Sequence, residues 1–236
     1  MNKDRVVVIA GAGGGLGRVC TRVFGEAGAR LALLGRDADK LDAMAQEEGL
    51  DEGRYLSLVV DVSQQSANEA AASQIVERFG SLAVLVNLIG GWAGGKTLFE
   101  TADSDFESML QQHVSNTVSM AKAYVPAMVD SGWGRVLAIS SPSAGRPPGK
   151  NAAYAAAKAG QEALMLSLAQ ELKGTGVTAN MLQVNTIDVE GQRIKNPSEK
   201  NASWSSPEEI SATLLHLCSD EAGMINGARI PVFGGF

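Results

Sequence analysis

Cysteine is scarce in this chain, and so are closely spaced histidines. Only 2 cysteines and 2 histidines occur in 236 residues. Cys20 and Cys218 lie far apart, each within an apolar helical pattern. A disulfide framework or a metal site would need more thiols or closer histidines. We therefore expect buried free thiols, a reducing cytoplasmic compartment and no metal.

Basic clusters and long apolar runs are also absent. The net charge is -6 and no Lys/Arg cluster stands out, which argues against nucleic-acid or anionic-membrane partners. No stretch approaches the roughly 18 apolar residues of a membrane span. The composition indicates a soluble protein that does not bind polyanions.

What the chain does contain is a regular alternation of strand-like and helix-like segments. The short apolar runs are "RVVVIAG", "RLALLG", "YLSLVVDV", "LAVLVNLIG", "GRVLAISS", "VTANMLQV" and "ARIPVFGG". Because they lack strict alternation, they fit parallel strands that are buried on both faces. Helix-length segments fall at 15–28, 37–48, 64–79, 103–131, 151–173 and 206–219.

This alternation predicts one α/β domain over residues 1–236, with a doubly wound parallel sheet of about seven strands. In segment 103–131, one helical face is expected to carry Phe106, Leu110, His113, Val114, Thr117, Ala121 and Val125. The irregular stretch 188–206 is expected to be a substrate loop. Ligands of such sheets bind beyond the carboxyl ends of the strands.

A glycine-rich turn, "AGAGGGLGRVC", directly follows the first predicted strand. Gly11, Gly15 and Gly17, with Gly14 and Leu16 between them, open a helix. Residues without Cβ allow a sharp turn close to a diphosphate, and the helix N-terminus supplies free N–H groups. The alternative is a turn without a ligand, but the strand before it and the helix after it favour dinucleotide binding.

The residues after the second strand bear on which dinucleotide binds. An acid at position 35 would hold the ribose hydroxyls of NAD, but Gly35 stands there. Arg36 could pair with a 2'-phosphate, which favours NADP(H). NAD(H) stays an alternative, because Arg36 could be a solvated surface charge and Asp37 could bind a ribose.

Polar residues also follow the third and fourth strands. Asp61 and Val62 are expected at the adenine edge and face, respectively. Asn87 either ties the backbone of its turn together or faces the ribose. Each is weak alone, but together they occupy successive carboxyl ends of the sheet.

A tyrosine and a lysine stand four residues apart in "GKNAAYAAAKAG", which places Tyr154 and Lys158 on one helical face. With the glycine turn, this pair resembles the short-chain dehydrogenase/reductase family over nearly the whole chain. Asn87 to Gly90 loosely matches that family's turn after the fourth strand, and Ser141 falls at its catalytic serine. The resemblance implies a Rossmann fold and an NAD(P)-dependent oxidoreductase.

The resemblance also implies roles for the matched residues. Tyr154 would protonate the forming alkoxide and Ser141 would hydrogen-bond the same oxygen. Lys158 would hold the nicotinamide ribose and, with the oxidised nicotinamide, lower the pKa of the phenol. We also expect the protein to form a homodimer or homotetramer. It should be cytoplasmic and act on a small carbonyl substrate.

Several positions depart from the family pattern. Counting back from Pro126, His113 replaces an asparagine that anchors a water chain, although Asn116 is nearby; His113 either relays protons or packs. Val184 and Asn185 replace Pro-Gly before Ile187, whose backbone would receive the nicotinamide carboxamide. Near the C-terminus, "VFGGF" has Phe233 where an acid is usual.

Two segments bear on the substrate. "GGWAGG" and "ASWSSPEE" resemble quinonoid dihydropteridine reductases, whereas "YAAAKAG" resembles 3-oxoacyl carrier-protein reductases. The predicted pocket lining is Trp92, Ser143, Ile194 and Trp204, although core packing would explain each equally well. The sequence therefore predicts an NADPH-dependent ketone or 3-oxoacyl reductase. Two alternatives stay open: a pteridine-type reductase that needs little from the serine, and a non-catalytic dinucleotide sensor.

Overall fold

A computed structural model of the protein describes residues 3–234. Seven strands form one sheet, and their order is β3-β2-β1-β4-β5-β6-β7. The strands are β1 (Val6–Ala10), β2 (Arg30–Gly35), β3 (Tyr55–Val59), β4 (Val84–Asn87), β5 (Gly134–Ser140), β6 (Val177–Gln183) and β7 (Arg229–Pro231). Every neighbouring pair is parallel. The predicted doubly wound α/β fold is confirmed.

Helices cover both faces of the sheet. They are α1 (Gly15–Glu26), α2 (Ala38–Glu47), α3 (Gln65–Phe79), α4 (Asp103–Leu110), α5 (Asn116–Asp130), α6 (Ala152–Glu171), α7 (Gln192–Lys195) and α8 (Pro207–Leu217). The sharp change of strand order lies between β1 and β4, where the chain crosses from one half of the sheet to the other. This arrangement leaves a crevice at the carboxyl ends of the two strands.

The sequence of β1 shows why the sheet is buried on both faces. Val6 and Val8 pack into the core cluster that includes Tyr124, whereas Val7 and Ile9 pack into the opposite cluster around Phe24. Successive side chains of a strand point to opposite faces, so a run of apolar residues serves both layers. Burying each of these side chains contributes roughly 1.5–3 kcal/mol.

The predicted continuous helix 103–131 is wrong in its middle. A π-helical turn, Gln111–Ser115, separates α4 from α5. A wider turn changes the angular position of every later residue, so the proposed single face divides. Phe106 is 37% exposed, whereas His113 is 1% and Val125 6% exposed.

Three further expectations concern the cysteines, the C-terminal stretch and membrane-spanning helices. Free thiols are confirmed for Cys20 and Cys218, which are both buried. Of the C-terminal "VFGGF" stretch, Gly235 and Phe236 lie outside the described residues. Within residues 3–234, no helix has the length and apolar character needed to cross a membrane.

Candidate active site

The glycine turn after β1 has a conformation that only glycine tolerates at two positions. Gly11 has a φ of +89°, in the left-handed region. A Cβ on Gly17 would lie 2.4 Å from the carbonyl oxygens of both Gly11 and Ala12. Gly14 is the N-cap of α1 and offers no side chain to the helix N–H groups. Those N–H groups and this close backbone fit the diphosphate of a dinucleotide.

The end of β2 lies beside this turn. The N–H groups of Gly11 and Ala12 both donate to the carbonyl of Leu34, 3.1 Å away. A Cβ on Gly35 would lie 3.0 Å from Leu41 Cδ1, so a side chain there would be tight. Arg36 is exposed. Asp37 caps α2, because its carboxylate accepts from the N–H of Lys40 at 3.2 Å.

At the end of β3 the structure alters one boundary. The strand ends at Val59, two residues before Asp61. The exposed Asp61 carboxylate accepts from the Ser63 N–H at 3.0 Å and the Ser63 hydroxyl at 2.7 Å, which lowers the pKa of Asp61. Val62 is 8% exposed and packs in the core. Its contact with adenine stays a prediction.

Asn87, the last residue of β4, ties its turn together. Its side-chain oxygen accepts from the Ile89 N–H at 3.0 Å, and its amide nitrogen donates to the Thr117 hydroxyl at 3.3 Å. Of the two roles expected for Asn87, these contacts correspond to the first. A ribose contact stays a prediction.

Three predicted catalytic residues meet beyond the carboxyl end of β5. Ser141 directly follows β5 and is 3% exposed, and its hydroxyl accepts from the Ser143 N–H at 3.2 Å. Tyr154, in the first turn of α6, interacts through its phenol with the Ser141 side chain. Lys158 Nζ lies 5.9 Å from the centre of the Tyr154 ring. The sequence spacing of these residues is therefore matched by spatial proximity.

The electrostatics of this group differ from the sequence expectation. Burial raises the pKa of Tyr154, and the interaction with Ser141 only partly opposes that rise. Burial lowers the pKa of Lys158 to about 7, although the nearby Glu162 carboxylate opposes the change. In the protein chain by itself, Lys158 therefore does not lower the phenol pKa below its ordinary value. The protein holds a neutral, proton-bearing phenol at pH 7.

His113 lies against Tyr154 at the π-helical turn. The two ring centres are 5.5 Å apart and the rings are nearly perpendicular. His113 Nε2 lies 3.0 Å from the Gly91 carbonyl; because a carbonyl only accepts, Nε2 carries the proton. A Cβ on Gly90 would lie 2.4 Å from His113 Cε1, so Gly90 makes room for the ring.

The tautomer and charge of His113 bear on the proposed proton relay. Burial first and Lys158 second lower its pKa to about 4, so the imidazole is neutral at pH 7. Within residues 3–234, its Nδ1 is buried and has no hydrogen-bond partner. Asn116 instead accepts from Gln111 at 3.0 Å. The structure thus places His113, not Asn116, beside the tyrosine, while relay stays a prediction.

Two of the predicted pocket residues are joined by a residue that the sequence did not single out. The Trp92 indole N–H donates to Asn151 at 3.0 Å, and the Asn151 amide donates to the Ser143 hydroxyl at 3.2 Å. Trp92 is nonetheless 65% exposed, so one surface of its ring faces the solvent. Trp92 and Ser143 therefore lie on the same side of the site as Ser141.

The segment 188–206 is ordered by its own hydrogen bonds. Asp188 is 4% exposed, and its carboxylate accepts from the N–H groups of Gln192 and Arg193 at 2.7 and 2.8 Å. Ile187 forms a parallel bridge with Ser205. A Cβ on Gly15 would lie 2.7 Å from Val189, so this segment reaches the glycine turn.

The remaining predicted pocket residues lie on this segment. Ile194 is 79% exposed, and the Trp204 carbonyl accepts from Arg193 at 2.7 Å. None of the hydrogen bonds or ring contacts found between residues 3 and 234 joins either one to Tyr154. Val184 is buried, and Asn185 donates to Ser203 at 2.8 Å. The place of Ile194 and Trp204 in a substrate pocket stays a prediction.

Sequence reasoning missed three polar residues that surround Lys158. Gln161 accepts from Lys158 Nζ at 3.0 Å, and Thr117 accepts from Gln161 at 3.2 Å. Glu162 accepts from Ser140 at 2.7 Å and pairs with Arg229 at 2.6 Å. For two of them the sequence contained a signal. Gln161 and Glu162 stand three and four residues after Lys158, so they share a helical face with it.

Among residues 3–234, no three His, Cys, Asp or Glu side chains come together as a metal site.

Fold and site together define a dinucleotide-dependent oxidoreductase, and a comparison with known families gives the particular class. The family model described as short chain dehydrogenase matches residues 5–200. The chain belongs to this family and is an NAD(P)-dependent oxidoreductase.

Three similar proteins cover almost the whole chain. D-threitol dehydrogenase of Mycolicibacterium smegmatis is 29% identical over 244 residues, 98% of this chain and 92% of the relative. Acetoacetyl-CoA reductase of Allochromatium vinosum is 28% identical, with 98% of each chain covered. The structure of 3-ketoacyl-(acyl-carrier-protein) reductase from Brucella melitensis, complexed with NADH, has a TM-score of 0.87 at 24% identity and covers 99% of this chain and 98% of that one.

Proposed function

We propose that the chain is an NADPH-dependent carbonyl reductase whose substrate is a ketone or a 3-oxoacyl compound. The carrying observation is that Ser141, Tyr154 and Lys158 lie together beyond β5, at the sheet edge that also bears the glycine turn. The similarity to a reductase of acetoacetyl-CoA supports the substrate class.

In this proposal the residues of the chain bind and polarise the carbonyl. A bound nicotinamide supplies or accepts hydride. Ser141 donates a hydrogen bond to the carbonyl oxygen, where negative charge develops. Tyr154 bears its proton at neutral pH and gives it to that oxygen. Lys158 holds the nicotinamide ribose beside them.

The preference for NADPH rests on the end of β2. A Cβ on Gly35 would lie 3.0 Å from Leu41 Cδ1, so an acidic side chain there would have to displace Leu41. Asp37 already caps α2 and pairs with Lys40 at 3.2 Å, so its carboxylate has a structural role. Arg36 is exposed at this edge and supplies a cation for a 2'-phosphate.

Replacement of the tyrosine tests the reaction. We expect Tyr154→Phe to abolish carbonyl-dependent NADPH oxidation while cofactor binding, followed by fluorescence, stays near the wild-type value. Tyr55→Phe is the matched control, because Tyr55 lies on β3 and its hydroxyl contacts only Gln46 among the described residues, at 3.3 Å. Wild-type turnover by Tyr154→Phe, or cofactor binding with no turnover of any carbonyl by the wild-type protein, contradicts the proposal; the latter outcome favours the sensor.

The cofactor preference has a separate test. We expect Arg36→Ala to weaken NADPH binding about tenfold, as expected for one exposed charged contact, and to leave NADH binding unchanged. Both affinities are measured by fluorescence titration, so NADH is the internal control. Equal effects on both cofactors, or no effect on either, would refute the role of Arg36.

Ser141→Ala separates the carbonyl reductase from the pteridine-type reductase. A carbonyl reductase is expected to lose roughly 100-fold or more in kcat, because the developing oxyanion loses one donor. Full activity of the variant on every accepted substrate favours the pteridine-type reaction, in which the serine has little part.

We also propose a homodimer or homotetramer, and the support is a group of exposed apolar side chains around the start of α4. Leu98 and Phe99, which precede α4, are 69% and 88% exposed, and Phe106 within α4 is 37% exposed. Exposed apolar residues this close together are typical of protein contacts. Light scattering measures the mass in solution, and a monomer at micromolar concentration contradicts this assembly.

A further inference from the structure

Lys158 is held in a pocket of polar groups that its family resemblance does not explain. It is 4% exposed, and its ammonium donates to the Ile139 carbonyl at 2.7 Å and to Gln161 Oε1 at 3.0 Å. Gln161 itself is 0% exposed. A fully buried glutamine is costly unless its amide is satisfied, so its partners define its role.

The orientation of the Gln161 amide follows from fixed backbone groups. The Ile89 N–H can only donate, so it holds Asn87 Oδ1 and turns the Asn87 amide nitrogen toward Thr117. The His113 backbone carbonyl can only accept, so the Thr117 hydroxyl donates its hydrogen bond to it, at 2.7 Å. Thr117 is left to accept hydrogen bonds.

This leaves only one arrangement for Gln161. Its amide nitrogen must donate to the Thr117 oxygen, 3.2 Å away. Its oxygen then faces Lys158, where it accepts from the ammonium. If the Gln161 amide were flipped, its NH2 group would face the Lys158 ammonium, and two donors would oppose each other. Its oxygen would then face the Thr117 oxygen, whose hydroxyl hydrogen already bonds the His113 carbonyl, and two acceptors would oppose each other.

We propose that Gln161 is a positioning residue for Lys158: it holds the ammonium group against the end of β5 in an orientation that Thr117 dictates. The same β5 end carries Ser141, and the same α6 face carries Tyr154. Gln161 thereby fixes the cation relative to both groups. The consequence for turnover rests on the proposed function, whereas the hydrogen bonds do not.

Charged and titratable groups around Lys158 come from three elements. On α6, Glu162 raises the pKa of Lys158, while Tyr154 lies one turn before it. His113 faces it from the π-helical turn and is neutral at pH 7. Arg229 of β7 pairs with the far oxygen of Glu162. Gln161 acts beside these groups as a neutral acceptor that favours the ammonium form.

The test follows the ionisation of Lys158 directly. Protein labelled with 13C-lysine is titrated by NMR, and the Lys158 signal is assigned by its loss in Lys158→Met. In wild type we expect it to titrate near pH 7, well separated from the exposed lysines. Gln161→Met removes the acceptor at similar volume and should lower this pKa by about one pH unit.

Two more variants and a control complete the experiment. Gln161→Glu places a carboxylate beside the ammonium and should raise the Lys158 pKa. Thr117→Val frees the amide to turn and should lower it. Gln170→Met, at an exposed position of the same helix, should leave it unchanged.

An unaltered Lys158 pKa in Gln161→Met, or a fall in Gln161→Glu, overturns the proposal. If Gln161→Met fails to fold, the sign of the shift in Gln161→Glu decides. No substrate is present in the titration. A protein that turns over no carbonyl yet shows these shifts therefore refutes the proposed function alone and leaves the positioning role intact.

Discussion

Replacing Gly17 with alanine is expected to damage the glycine turn more than any other single methyl group. The added Cβ would lie 2.4 Å from two backbone oxygens, those of Gly11 and Ala12. Real Cβ contacts are essentially never closer than 3.0 Å, so the backbone must move by about 0.6 Å, the difference between these values. Neither oxygen can rotate away as a flexible side chain would.

Two opposing effects determine how Gly17→Ala changes the free energy of unfolding. Overpacking of this kind costs about 1–3 kcal/mol, and two rigid contacts place Gly17→Ala near the upper end. Alanine within a helix contributes about 1 kcal/mol relative to glycine. The first effect is larger, so we expect a net loss of about 2 kcal/mol in the free energy of unfolding. NADPH binding should also fall strongly, because the proposed diphosphate site is formed by the same turn.

Urea denaturation followed by circular dichroism measures the stability, and NADPH fluorescence measures binding. Gly13→Ala is the control for stability: its Cβ would have Leu41 Cδ2 as nearest neighbour, at 3.8 Å, an ordinary contact. The control should stay within about 0.5 kcal/mol of wild type. Wild-type stability and wild-type NADPH affinity in Gly17→Ala would refute the reasoning.

Two further predictions concern His113 and Asp188. The folded-state pKa of His113 is lowered to about 4 from 6.5, so the folded protein binds fewer protons than the unfolded chain below pH 6.5, and stability falls as the pH falls toward 4. This costs about 2 kcal/mol at pH 5. His113→Asn should lack this part of the acid loss in urea unfolding at pH 5 and 8, and an unchanged pH slope would contradict it. Asp188→Asn leaves one acceptor oxygen for two N–H groups, so trypsin should cut several-fold faster at Arg193. The control is Glu190→Gln on the exposed side of the same segment. If Asp188→Asn and wild type are cleaved at equal rates, the hydrogen bonds of Asp188 do not order this segment.

The sequence by itself determined the sheet, the glycine turn and the spacing of Tyr154 and Lys158. Apolar runs without alternation fit strands that are covered on both faces, and β1, β2, β4, β5 and β6 each contribute buried side chains to both core clusters. The spacing of Tyr154 and Lys158 follows from helical geometry alone. Glycines at positions 11 and 17 are local requirements of the backbone, so they too are readable from the chain.

Only the tertiary structure decided how the chain surrounds those residues. The π-helical turn at Gln111–Ser115, which lies against α6, is not revealed by any local periodicity of the sequence. The ionisation of Tyr154 and Lys158 depends on burial, which outweighs the opposing effects of Ser141 on the tyrosine pKa and of Glu162 on the lysine pKa. The environment of Gln161 is set by Thr117 and Asn87, 44 and 74 residues earlier in the chain, and such long-range hydrogen bonds exist only once the sheet and both helices have assembled.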